Sequence, residues 1–303
     1  MQTNPLVSVI MNCYNSDKFL KEAIESVLNQ TYKNFEIIFW DNQSTDNSAK
    51  IVQSYDDKRI KYFYAPHFTP LGKARNLAIE KCTGEWIAFL DCDDIYDKDK
   101  LKLSFEDLLK KQNKNKIALI YSNSFFIDSF GNIKGKTKKN ISGNIYFELL
   151  YNGNFIVFSS IIINKNILIS IGNINEDLNY CEDYDLLLKI TRNYDVIAVE
   201  EILTFYREHS KNITNTKQLA NISETLDLLN SISRFNYYGS YTRIKILINQ
   251  SYFLFRNLNN LRKELSVINL IKFLIKYKVL ILIIPITLLI KSIFLLINRN
   301  NFK

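Results

Sequence analysis

Apolar segments rich in β-formers alternate with amphipathic helical segments over roughly the first 90 residues, and this alternation limits the fold more than any other feature. The spacing predicts strands at residues 7–11, 35–40, 60–64 and 85–90, with a helix after each of the first three. Such alternation is typical of an α/β domain whose parallel sheet carries helices on its faces. Ligands of these sheets bind beyond the carboxyl ends of the strands.

Polar residues follow three of the predicted strands at this edge. They are Asn12, Asp41, Asn42 and the acidic segment, which we define as residues 91–94 (Asp-Cys-Asp-Asp). Three neighbouring carboxylates at a buried strand end cost several kcal/mol unless a cation or donors compensate them. Mg2+ or Mn2+ with a nucleoside diphosphate would do so. Asp-x-Asp recurs at 97–99 and 183–185, so a solvated turn also fits this spacing.

Composition and the remaining motifs exclude several classes of protein. No glycine-rich phosphate loop follows a predicted strand, which argues against dinucleotide oxidoreductases and P-loop enzymes. The formal charge is +8, but no arginine cluster interleaved with aromatics occurs before the carboxyl tail, so no nucleic-acid partner is expected. The 4 cysteines form no Cys-x-x-Cys pair and are expected to be reduced, cytosolic thiols.

The second half of the chain has a different pattern. A helix is predicted at 97–112 and short strands at 117–121, 125–128 and 155–164, with a hairpin turn at 129–132. Two helices are predicted between 217 and 265. We therefore expect a catalytic domain at 1–215, with a nucleotide-binding half (1–95) and an acceptor half (96–215), then a helical extension at 216–265 and a tail at 266–303.

The tail is predicted to associate with a membrane. Residues 279–297 are strongly apolar, although Pro285 and Lys291 interrupt them, and lysines precede them. Because a spanning helix needs about 20 mostly apolar residues, a helix lying in the cytoplasmic leaflet is favoured over a true span and over a buried helix pair. The amino terminus resembles no signal peptide. These features predict that the protein lies at the cytoplasmic face of the inner or plasma membrane. Formation of an oligomer through the C-terminal helices is left open.

A second acidic cluster opens a predicted helix at residues 181–188. Acidic residues in a first turn interact favourably with the helix dipole, which is one sufficient reason for their presence. A carboxylate fixed there could also take a proton from an acceptor hydroxyl, as a general base does.

The order of the motifs resembles that of glycosyltransferase family 2. The matching segments lie at 7–15, 35–48, 72–78, 84–94, 182–186 and 206–209, and together they extend over about residues 5 to 210. This resemblance implies an inverting, metal-dependent nucleotide-diphospho-sugar transferase with a GT-A fold and a mixed, mainly parallel sheet.

The resemblance also implies a nucleotide site. Tyr14 would stack on the base, with Asn12 beside it, and base stacking contributes roughly 1 to 3 kcal/mol. Asp41 and Asn42 match an acidic pair that reads the base, although the second residue is Asn here. An Asn oxygen still accepts from uracil or thymine, so a UDP-sugar is expected while dTDP and GDP remain open.

Further roles follow from the same resemblance. Arg75 would neutralise phosphate or contact the nucleotide, and Asp91 would meet the ribose. Asp93 would hold Mn2+ or Mg2+, with His209 as a second ligand, although a lone histidine is more often structural.

Asp94 and Glu182 would face the donor sugar or acceptor, and Asp183 is the expected general base. The predicted reaction moves a hexose from a UDP-sugar to a hydroxyl of a glycan or lipid-linked glycan during surface polysaccharide, lipopolysaccharide or glycoprotein-glycan synthesis.

Two alternatives remain. A sugar nucleotidyltransferase shares the sheet, but residues 12–15 lack the glycine and basic residue of its triphosphate loop. A catalytically inactive scaffold that binds nucleotide or glycan at the membrane is the other.

Overall fold

The computed structural model describes residues 4–212 and 216–233, together with scattered residues between 239 and 273. The chain divides into two units. The first contains residues up to 146 and 154–210, and the second contains 147–153 and the described residues from 211 onward. The candidate site residues all belong to the first unit.

A nine-stranded sheet organises the first unit in the order β3-β2-β1-β4-β8-β6-β9-β5, with β7 paired to β6. Its strands are β1 (Val7–Cys13), β2 (Phe35–Asp41), β3 (Ile60–Tyr64), β4 (Trp86–Phe89), β5 (Ile95–Tyr96), β6 (Ile117–Ile127), β7 (Ile133–Lys136), β8 (Ile161–Asn164) and β9 (Asp195–Arg207).

Helices connect these strands. They are α1 (Asp17–Leu28), α2 (Ser48–Gln53), α3 (Leu71–Ile79), α4 (Lys100–Leu109), α5 (Tyr146–Asn152), α6 (Lys165–Ser170) and α7 (Glu182–Thr191). All of α5 after its first residue belongs to the second unit, as does α8 (Gln218–Ser233).

The first four strands and their helices confirm the predicted parallel half. β1 pairs in parallel with β2 and β4, and β2 with β3. Every residue of β2 and β4 is buried, as expected for central strands covered on both faces. One of the helices that cover the sheet is α1, whose buried face is formed by Leu20, Ala23, Ile24 and Val27.

The sheet is mixed and mainly parallel, as the resemblance implies, because β1, β2, β3, β4, β6 and β9 run in one direction and β5, β7 and β8 run antiparallel to their neighbours. The second half corrects two other predictions. β6 is one continuous strand rather than two. Residues 155–160 are not extended as predicted, since Phe158–Ser160 form a 3-10 turn before β8.

Buried polar contacts explain the unbroken β6. Ser122, which lies between the two predicted strands, contacts the buried Lys100 Nζ at 3.1 Å. Lys100 Nζ also donates to the Ser160 carbonyl at 2.5 Å, and burial lowers the pKa of this lysine to about 7. Ser122 therefore stays inside the sheet because its side chain has a buried partner there.

In the second unit, α8 buries Ile222, Leu226 and Leu229. Within the described part of the chain, no helix combines the length and apolar character needed to cross a bilayer. The tail at 279–297 lies outside the described residues, so its membrane association stays a prediction.

Candidate active site

The carboxyl ends of β1, β2, β4, β6 and β9 point to one edge of the sheet. The residues at or just beyond these strand ends are Asn12, Asp41, Asn42, the acidic segment and His209. The sequence predicted this position for those that follow β1, β2 and β4. Strand β9, which the sequence did not predict, adds His209 to the group.

Arg75 links the acidic segment to the start of α7. Its guanidinium is 4% exposed and donates to Asp91 Oδ1 at 3.1 Å and to Glu182 Oε1 at 2.8 Å. It also lies 4.0 Å from the centroid of the Phe158 ring. Arg75 therefore bridges two carboxylates inside the protein, and its predicted contact with the nucleotide stays a prediction.

Asp93 and His209 contact each other directly. His209 Nε2 lies 2.8 Å from Asp93 Oδ2. Burial and the charge of Asp91 raise the pKa of Asp93, whereas His209 opposes that shift. Arg207 fixes the same residue through its backbone, because its Nε donates to the Asp93 carbonyl at 2.9 Å. A carboxylate and an imidazole are thus held together at the sheet edge.

Asp94 follows Asp93 in the chain and is only 1% exposed. Its Oδ1 accepts from the Arg207 backbone N–H at 2.8 Å. Burial, with the added charges of Asp93 and Asp91, raises the pKa of Asp94 well above its usual range. Asp94 therefore joins the end of β9 to the acidic segment, and its predicted contact with the donor sugar stays a prediction.

Asp183 occupies the first turn of α7 and is partly exposed. Burial and the neighbouring charge of Glu182 raise its pKa to about 7, while Arg75 opposes the shift. The Asn154 side-chain amide donates to Asp183 Oδ2 at 3.2 Å. A carboxyl group with this pKa changes between its neutral and charged forms near neutral pH, which suits proton transfer.

Two exposed aromatic rings stand at the end of β1. Tyr14 is 51% exposed, and its ring centroid lies 4.8 Å from that of Phe68 in an edge-to-face arrangement. Nearby in sequence, the buried Nδ2 of Asn12 has no hydrogen-bond partner among the described residues. Buried donors are almost always satisfied, so a missing partner at a sheet edge is a reason to expect a ligand there.

Asp41 and Asn42 are bonded within the protein. Asp41 accepts from the Tyr62 hydroxyl and from the Ser44 N–H, both at 2.8 Å. Asn42 donates to the Thr69 carbonyl at 2.7 Å. The Asp41 side chain thus joins the end of β2 to β3 and to the loop after β2, whereas Asn42 holds the segment after β3. Base recognition by either of them stays a prediction.

Two groups of predicted residues are brought together, Asp91 with Glu182 through Arg75 and Asp93 with His209. Sequence reasoning missed Arg207, Asn154 and Phe68. Arg207 stood inside the motif at 206–209, but its contact with Asp93 joins residues 114 positions apart, which no local pattern signals. Phe68 was detectable only as an aromatic in a polar loop.

A divalent cation fits Asp93 and His209. No group of three or more His, Cys, Asp or Glu side chains arranged to hold a metal occurs among the described residues. Two protein ligands suffice for Mg2+ or Mn2+ when phosphate oxygens and water complete the coordination. The residues present therefore match a metal that binds together with a diphosphate.

Comparison with known sequences adds a family match. The family described as glycosyl transferase family 2 matches residues 8–172. An uncharacterized glycosyltransferase of Rickettsia typhi, RT0329, is 35% identical over 222 residues, covering 70% of this chain and 67% of its own. The UDP-Glc:alpha-D-GlcNAc-diphosphoundecaprenol beta-1,3-glucosyltransferase WfgD of Escherichia coli is 32% identical over 216 residues, covering 70% and 81%.

A solved structure has the same fold. TarS residues 1–349 of S. aureus in complex with UDP-GlcNAc superpose with a TM-score of 0.68 at 18% identity, covering 86% of this chain and 76% of that one. The similarity extends over most of the chain.

Proposed function

The chain belongs to glycosyltransferase family 2 and has a GT-A fold, and from this premise we propose that it transfers a hexose from a UDP-sugar to a hydroxyl of a lipid-linked glycan, with inversion. The observation that carries the proposal is the position of Asp183 in the first turn of α7, next to Glu182, which Arg75 joins to Asp91 of the acidic segment. Its pKa, raised to about 7, is consistent with this role.

The proposed step is a single displacement. Asp183 removes the proton from the acceptor hydroxyl, the oxygen attacks the anomeric carbon, and the bond from that carbon to the diphosphate oxygen breaks. The electron pair leaves with UDP. A base with a pKa near the working pH is well suited to this transfer. Asn154, which donates to Asp183 Oδ2, orients the carboxyl group.

Asp93 and His209 are the residues proposed to hold Mn2+ or Mg2+. When bound, the metal would supply positive charge to the leaving diphosphate. Arg207 keeps the Asp93 backbone in place for this role, and Arg75 holds Asp91.

Two similar proteins support the proposed donor and acceptor. The E. coli relative uses UDP-Glc and a GlcNAc-diphosphoundecaprenol acceptor, and the TarS structure contains UDP-GlcNAc. A lipid-linked acceptor also agrees with the apolar tail at 279–297, and it supports a location at the cytoplasmic face of the membrane.

The test is a screen of UDP-glucose, UDP-GlcNAc and UDP-galactose with Mn2+ or Mg2+, with dTDP- and GDP-sugars as controls. We expect UDP release that depends on both the metal and a polyprenyl-diphosphate-linked sugar. Binding of UDP without any turnover, across donors and acceptors, would instead favour the inactive scaffold. Formation of a nucleotide sugar from a nucleoside triphosphate would favour the nucleotidyltransferase.

A further inference from the structure

The hairpin formed by β6 and β7 exposes two apolar side chains at its tip. Phe130 is 90% exposed, and Ile133 is 57% exposed. Single exposed apolar residues are common on proteins, so exposure alone indicates no function. The turn that presents these two residues and the charges around them distinguish this hairpin.

The turn is rigidly hydrogen-bonded. Asp128 Oδ1 accepts from the backbone N–H groups of Phe130 at 2.9 Å and Asn132 at 3.0 Å, and the Asp128 N–H donates to the Asn132 carbonyl at 3.0 Å. Gly131 takes the positive φ of 86° that the turn requires. An apolar residue on a preordered turn loses little conformational entropy when it binds.

Lysines flank the exposed pair. Residues 129–147 contain four lysines, at 134, 136, 138 and 139, and no acidic residue. Lys134 pairs with Asp128 at the base of the turn, at 3.1 Å. Apolar side chains beside lysines are typical of surfaces that bind anionic bilayers, where the apolar groups enter the headgroup region and the lysines meet phosphates.

The hairpin leaves the sheet beside the candidate active site. Ile127, the last residue of β6, is paired with Arg207, the last residue of β9. Arg207 Nη1 donates to the Asp128 carbonyl at 3.4 Å, while its Nε holds Asp93. The hairpin therefore starts from the edge at which Asp93 and His209 lie.

We propose that this hairpin is a membrane-contact surface whose Phe130 and Ile133 enter the headgroup region of an anionic bilayer. This contact is separate from the one predicted for the tail and is independent of the identity of the donor. An exposed apolar pair favours a bilayer over a soluble anionic polymer, which offers no apolar phase. The contact brings a lipid surface next to the edge of the sheet that carries the acidic segment.

The test places a fluorescent probe at the tip. The two native tryptophans, Trp40 and Trp86, are buried. F130W in the full chain therefore adds an exposed indole whose fluorescence reports on the hairpin tip. Vesicles of phosphatidylcholine and phosphatidylglycerol with brominated acyl chains should shift its emission to shorter wavelength and quench it. Vesicles of phosphatidylcholine alone should do so much less. Because the readout is local, it reports the hairpin even if the tail also binds.

A matched control lies at the opposite edge of the sheet. Leu109 is 40% exposed, and lysines 110, 111, 114 and 116 follow it before β6 begins. The indole of L109W should not be quenched. In the F130W background, K136E/K138E should raise the lipid concentration needed for half-maximal quenching about tenfold or more, and it leaves the Lys134 pair intact.

Three results would overturn the proposal. The first is F130W emission that anionic vesicles leave unchanged, and the second is equal quenching of F130W and L109W. The third is a spectral shift with soluble polyphosphate but none with vesicles, which would assign the surface to an anionic polymer.

Discussion

The two acidic clusters of the site have similar sequences but different electrostatic surroundings. In the segment after β4, Asp91 meets Arg75 and Asp93 meets His209. In the first turn of α7, Asp185 pairs with Lys189 at 2.7 Å, while Asp183 has a pKa of about 7. The same Asp-x-Asp spacing thus gives a candidate metal site in one place and a candidate base in the other. Partners distant in sequence decide between these outcomes, so the predictions below test the partners.

The largest effect is expected for D183N. The amide cannot accept a proton, so transfer should fall by about 10² to 10⁴-fold, while the affinity for UDP changes little. Initial rates of UDP release and calorimetric UDP binding measure the two quantities. D185N in the same helical turn is the control and should keep most of the activity. Equal losses in both variants would remove Asp183 from its proposed role.

R75M should break the link between the clusters. Removing one partner from a buried ion pair costs about 3 to 5 kcal/mol of the free energy of unfolding, because the carboxylates lose their compensation. Denaturant unfolding measures this loss. R59M is the control, since Arg59 pairs with Asp57 at 2.7 Å near the surface and should cost at most about 1 kcal/mol. A loss for R75M as small as that for R59M would contradict a structural role for the bridge.

H209N should weaken metal use. If His209 and Asp93 hold the cation, the Mn2+ concentration for half-maximal activity should rise by about 10 to 100-fold. The chain has only two histidines, and H67N is the matched control, because His67 lies in the exposed loop after β3. An unchanged metal requirement in H209N would leave His209 with a structural role only.

The pH dependence should be the mildest effect. Because the base must be ionised, kcat/KM should fall about tenfold per unit below pH 7 and level off above it.

The raised pKa of Asp183 also affects stability. The unfolded chain loses this proton near its ordinary pKa of 3.8 and the folded chain near 7, so this group makes unfolding easier as pH rises from about 4 to 7. D183N should flatten the change of stability with pH in that window. If kcat/KM began to fall only below pH 5, that result would contradict the raised pKa of Asp183.

The parallel half could be predicted from sequence because its signals are local. Strands β1 to β4 are short apolar runs between turns, and α1 shows helical periodicity, so neighbours in sequence suffice. The other half depends on distant partners. β6 contains Ser122 and Asn123 and was divided in two, and β9 was missed because its pairing with β6 spans about 80 residues.

The site was predictable to a similar extent. Family motifs pointed to Asp93, His209 and Asp183 as candidates, and the structure brings Asp93 and His209 into contact. They did not reveal that Arg75 contacts Glu182, which is 107 positions away. They also did not reveal that Asp41 is fully buried. Burial and long-range partners depend on the whole fold and leave no mark in a short motif.

The acidic segment also has a mechanical consequence. Between β4, in the middle of the sheet, and β5, at its far edge beside β9, the chain has only residues 90–94. This segment is therefore a short covalent connection between the parallel half and the mixed half of the sheet. A ligand that makes the segment more rigid should slow amide hydrogen exchange in the strands on both sides of it. Ligand binding would then be detectable by hydrogen exchange across the whole sheet.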